Sequence, residues 1–145
     1  MLKGFKFLAA AELPLLPLPV LAQSCGTLPA RPAIAAPSVI KGQKSEAEAA
    51  DARHQAFVQV KTWQDAVKPY RDCLNGIIAG DKKKMAQADA KKDADAIKQW
   101  KAEAAAADKA FNSSVDTEEL IVNDFHAVQA AYCMRKDADA SSCPD

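Results

Sequence analysis

Large apolar residues fall into two stretches of helical spacing, separated by a long polar segment. In the first, Ala56, Val60, Trp63, Val67, Tyr70, Leu74 and Ile77 follow one another in alternating steps of four and three. That spacing places them on one stripe of an α-helix and predicts a packed seam. In the second, Phe111, Val115, Ile121, Val122, Phe125, Val128 and Tyr132 lie near one helical face. Ser45-Glu46-Ala47-Glu48 reads as a capping box, the serine hydroxyl accepting from the Glu48 amide while the glutamate reaches back to the serine amide. A first helix is therefore predicted over 45–79, with Pro69 removing one amide donor inside it and Gly76 and Gly80 weakening its end. Gly80-Asp81 reads as a stop and restart, with Asp81 as the new N-cap.

Between the two seams, residues 82–110 alternate Ala, Lys and Asp around Met85, Ile97 and Trp100. Lys82-Lys83-Lys84 invites a reading as a partner patch, but acids are interleaved throughout, and a solvated helix of mixed charge is the expectation. The fold class predicted is all-α: a long antiparallel helical hairpin, coiled-coil-like, turning at Gly80-Asp81. The lysine-rich half then packs on the first helix through alanines. The Phe111 to Tyr132 half extends beyond it, covered by the N-terminal arm or by a second copy. The alternative is an up-down-up three-helix bundle, in which the 81–110 helix returns the chain and Cys73 and Cys133 meet at one end. The absence of Gly or Pro in 112–116 favours the hairpin.

The flanking segments divide the chain further. Residues 1–22 have the layout of a secretory signal peptide, with Lys3 and Lys6 ahead of an apolar stretch and a small-residue exit at Ala22, where cleavage is predicted. Three prolines and Glu12 interrupt that stretch, so no stable membrane span is expected after cleavage. A lipoprotein with Cys25 as its lipid-bearing residue is the less favoured alternative. Residues 23–44, rich in Pro and small side chains, predict an extended arm, 45–136 the helical domain, and 137–145 a polar tail frayed apart from its cysteine.

At 145 residues, 49% hydrophobic and 26% charged with zero formal net charge, the chain is one small domain without the charge excess that nucleic-acid binding requires. Its four cysteines, Cys25, Cys73, Cys133 and Cys143, all follow the predicted cleavage point, and an even count in an exported chain predicts disulfides. Three connectivities are open; in the hairpin, Cys25 could reach either Cys73 or Cys133. No Cys-x-x-Cys and no close His/Cys pair are present, so neither thiol exchange nor a metal site is expected. His54, with Asp51 three residues before it, and His126, seven after Glu119, read as surface groups. No catalytic residue and no cofactor are predicted. Trp63, Val67, Tyr70, Leu74, Phe111, Val122, Phe125 and Tyr132 are the candidates for an interaction stripe, since two helices alone cannot hide them all.

Tyr70-Arg71-Asp72-Cys73-Leu74, Ala110-Phe111-Asn112-Ser113-Ser114-Val115-Asp116 and the following Asp124 to Tyr132 resemble blocks in a group of uncharacterised small exported (periplasmic) proteobacterial proteins. This chain departs from their pattern at Phe111 and His126. The resemblance implies an exported helical hairpin and brings no catalytic residue. The expected role is a non-enzymatic scaffold or protein-interaction protein, with an unidentified protein partner or self-association. A periplasmic chaperone or inhibitor holding client proteins is the alternative, and a thiol-redox or metal-binding protein a second one.

Overall fold

The computed structural model describes residues 22–143. The predicted signal peptide, apart from Ala22, and the last two residues lie outside them. Two long helices form the molecule. α2 spans Glu46–Gln87 and α3 spans Ala94–Cys133, and they pack antiparallel as a hairpin whose arms are each about 60 Å long. A short helix, α1 (Pro37–Lys41), precedes them, and single 3₁₀ turns stand at Ala22–Cys25 and Ala140–Ser142. No strand occurs among the described residues.

α2 begins where the capping box places it. The Ser45 hydroxyl accepts from the Glu48 amide, and the Glu48 carboxylate accepts from the Ser45 and Lys44 amides. Its end differs from the sequence expectation. Gly80 and Asp81 do not stop the helix, which continues to Gln87. The turn occupies residues 88–93, built by two aspartates: Asp89 Oδ1 accepts from the Lys91 and Lys92 amides, and Asp93 Oδ2 accepts from the Asp89 amide. Pro69 is carried within α2 at an exposed position, so the Asp65 carbonyl that loses its helical donor can be hydrated.

Moving the turn corrects two further expectations. The 111–132 seam does not extend past the first helix but packs along 49–74. The three-helix alternative falls too, since 94–133 is one uninterrupted helix. Val60, Trp63, Val67 and Ile121 form one buried cluster. Ala49, Ala56, Val128, Ala131, Tyr132 and Ile40 of α1 form a second. The buried positions keep a strict seven-residue repeat, through Val60, Val67, Leu74 and Asp81 on α2 and through Ala107, Ser114, Ile121 and Val128 on α3.

The N-terminal arm completes the core. Cys25 is bonded to Cys73, Leu28 and Ile34 pack on the Trp63 cluster, and Ile40 enters the Tyr132 cluster, so the arm runs antiparallel to α2 along the hairpin. It is extended between its 3₁₀ turn and α1, and α1 itself corrects the expectation of an arm without helix. The C-terminal tail is likewise held and not frayed as far as Cys143: Asp139 accepts from the Ser141 amide and hydroxyl, and the Ser142 carbonyl accepts from Arg53 and Gln129.

Candidate functional site: the strapped groove

Pro29 and Pro32 keep the arm ahead of α1 from forming a helix, and a two-helix hairpin leaves an apolar groove along its length. Here the arm fills that groove, and it is attached covalently at its outer end and by hydrogen bonds and an ion pair along the rest. Cys25–Cys73 fixes the outer end, with Cα atoms 5.6 Å apart. In the middle, Trp63 Nε1 donates to the Pro29 carbonyl at 3.1 Å, and Arg31 pairs with Asp124 on α3. At the inner end, Arg135 Nη1 donates to the carbonyls of Ile40 and Gln43 at 3.0 and 3.1 Å while Asp137 holds the guanidinium. Cys133–Cys143 ties the tail to the end of α3, with Cα atoms 5.8 Å apart. All four cysteines are thus in disulfides, and the Cys73–Cys133 pairing that the bundle would have used does not form.

Tyr132 anchors the inner end. It is fully buried, donates to Glu46 Oε1 at 2.5 Å and accepts from the Asp139 amide at 3.2 Å. The hydrogen bond to the Glu46 carboxylate raises the phenol above its ordinary value, against the lowering effect of the Asp139 amide. Arg53 lies over the ring, 4.3 Å from its centroid.

Midway along the hairpin, Arg71 spans the helices. Nε donates to Ser114 Oγ at 2.8 Å, Nη2 to the Ser114 carbonyl at 2.9 Å and Nη1 to Glu118 Oε2 at 2.6 Å. Gln64 donates to the other Glu118 oxygen at 2.7 Å. Burial pushes the Glu118 carboxyl up, but the hydrogen bonds from Arg71 and Gln64 and the nearby charges of Arg71 and Lys61 outweigh it, leaving the group below its ordinary range. The Ser114 hydroxyl donates to the Phe111 carbonyl. The cluster's polar atoms are engaged with one another, and what it does is fix the register of α2 against α3.

The stripe residues have separated. Trp63, Val67, Leu74 and Tyr132 are buried, facing the opposite helix and the arm; Tyr70, Phe111, Val122 and Phe125 are half-buried. Val115 points outward at 43% exposure, because Ser114 holds the heptad position beside it. His54 lines an open recess with Arg53, Phe57 and Phe125, and Asp51 accepts from Gln55 instead of from His54. Neither imidazole makes a hydrogen bond, and no group of three potential metal ligands converges, among the described residues.

Sequence reasoning missed Arg71, Ser114 and Glu118 as interface residues, and Asp81 and Glu103 as buried acids. Part of the signal was there: Asp81 and Ser114 stand in the seven-residue repeat, at positions where a polar side chain draws less notice than a neighbouring apolar one.

The disulfides suit an oxidising compartment, and no helix among the described residues is long and apolar enough to cross a membrane. Compared with protein-family models, curated proteins and solved structures, the chain has no match.

Proposed function

We propose that this chain is an exported, non-enzymatic helical protein that binds another protein through the surface beside its strapped arm. The observation that carries the reading is the Cys25–Cys73 strap: it holds an extended segment rigidly along a hairpin. An ordered ribbon with open recesses on its flank is suited to recognition, since a preorganised surface loses little entropy on binding. Export into an oxidising compartment, as the predicted signal peptide implies, is part of the proposal and agrees with the two disulfides.

The test is site-specific photo-crosslinking in the exported fraction. A photoreactive residue at Val58, beside the arm, is expected to give a discrete adduct with another protein, and one at exposed Lys101 to give none. No adduct from Val58, nor from Val39 or Gln55 in the same region, would overturn the reading.

A further inference from the structure

On the α2 side of the arm, two open recesses lie end to end, sharing Gln59. The inner one, about 420 Å³, is bounded by Ala33 and Ala35 of the arm and by Asp51 and Gln55 of α2. The outer one, about 260 Å³, is bounded by Pro29 and Pro32 and by Val58 and Trp63. Together they run beside α2 from Glu48 to Ala66, about 27 Å at the helical rise and room for about eight residues of extended chain.

Three features define what fits. First, the arm leaves main-chain groups open along this edge: the amides and carbonyls of Ala33 and Ala35 make no hydrogen bond among the described residues, while the Ile34 amide between them turns back onto the Pro32 carbonyl at 3.1 Å. Open main-chain donors and acceptors of this kind can hydrogen-bond an extended segment laid beside them. Second, the inner end is acidic. Glu48 and Asp51 line it, both exposed, and neither has an ion-pair partner among the described residues, though the Glu48 carboxylate accepts from the Lys44 and Ser45 amides. Third, the outer end is apolar, with Val58 exposed at 46% beside Trp63 and the prolines.

We infer that this groove docks an extended peptide segment of another protein, carrying apolar side chains at one end and a lysine or arginine at the other, paired by its backbone to the outer edge of the arm. The inference rests on the protein-binding reading above and names the class of segment recognised. Backbone pairing supplies affinity whatever the sequence, and the Asp51 carboxylate and Val58 methyls supply selection at the two ends.

The test uses the oxidised full chain and fluorescein-labelled octapeptides bearing two valines at one end and two arginines at the other, in both chain directions, with glutamates replacing arginines as controls. One direction is expected to bind with a dissociation constant of about 10 μM, a usual strength for short-segment recognition. The glutamate controls should bind at least about tenfold weaker, the equivalent of roughly 1.4 kcal/mol. Asp51→Lys and Val58→Glu, both at exposed positions, should each weaken arginine-peptide binding by a similar factor, with circular dichroism confirming unchanged helix content. No binding by any peptide at about 1 mM, or binding indifferent to both substitutions, would overturn the inference. If peptides fail while Val58 still cross-links to another protein, the groove's ligand class is wrong and the protein-binding reading stands. If the adduct has twice the mass of this chain, the occupant is a second copy, which also overturns the inference.

Discussion

Arg71 on α2 holds Ser114 on α3 at two points, its hydroxyl at 2.8 Å and its main-chain carbonyl at 2.9 Å. A guanidinium is the side chain able to serve both acceptors and the Glu118 carboxylate at once, because its donors lie in one rigid fork. The consequence is register. Sliding α3 by one turn would leave a partly buried cation and a buried hydroxyl without partners.

Arg71→Met should therefore lower unfolding stability by about 1–3 kcal/mol, the cost of leaving hydrogen-bonded polar groups half-buried and unpaired. Arg71→Lys should recover only part of the loss, since an ammonium cannot reproduce the fork. Urea denaturation of the three proteins checks both statements.

The acid limb of stability should trace to the same residue pair. The Glu118 carboxyl titrates lower in the folded chain than its ordinary 4.5. Its contribution is thus present above that unfolded value and is lost as pH falls through the lower, folded one. Glu118→Gln should flatten the decline in thermal midpoint below about pH 4.5, and Arg71→Met should flatten it in the same range. Tyr132 has the opposite sign. Its raised phenol contributes fully below pH 10 and loses that contribution as pH rises through its folded value, so Tyr132→Phe should remove an alkaline limb.

The two disulfides should differ in weight. Cys25–Cys73 closes a separation of 48 residues and Cys133–Cys143 one of 10. On the chain-entropy account these correspond to about 4 and about 2.7 kcal/mol. The paired Cys→Ser variant at 25 and 73 should therefore show the larger fall in thermal midpoint. It should also show faster hydrogen exchange at the Trp63 indole, whose bond to the Pro29 carbonyl depends on the arm staying seated.

Asp81 is a destabilising residue in a good helix. It is 1% exposed, pairs through Oδ1 with the half-exposed Lys84, and leaves Oδ2 buried without a hydrogen bond. Asp81→Ala removes that orphan and improves helix propensity, so stability should rise by about 0.5–2 kcal/mol. Trp63→Ala, by contrast, empties a buried site and should cost about 3–5 kcal/mol. Differential scanning calorimetry distinguishes a rise from a fall in each case.

Much of the architecture is legible in the residues, and the rest is hidden for identifiable reasons. The capping box at Ser45 and the seam from Ala56 to Leu74 are local signals and appear where they point. The turn is not legible. It forms from Asp89 and Asp93 in a run of Ala, Lys and Asp with no Gly or Pro, while Gly80, which reads as a breaker, sits in a helix sustained by its pairing with α3. A Cβ at Gly80 would meet nothing within 4 Å, so packing does not require glycine there. The second seam is half legible, because Val115 and Val122 draw attention from Ser114 and Glu118, whose partner Arg71 lies 43 and 47 residues away in sequence. The groove beside the arm depends on where a Pro-rich segment is strapped, which no local pattern states.

The account turns on the arm being covalently seated, and peptide mapping without reduction of chain recovered from the exported fraction tests that directly. The expected fragments join Cys25 to Cys73 and Cys133 to Cys143, with no free thiol. A Cys73–Cys133 linkage, or Cys25 recovered as a free thiol, would contradict it.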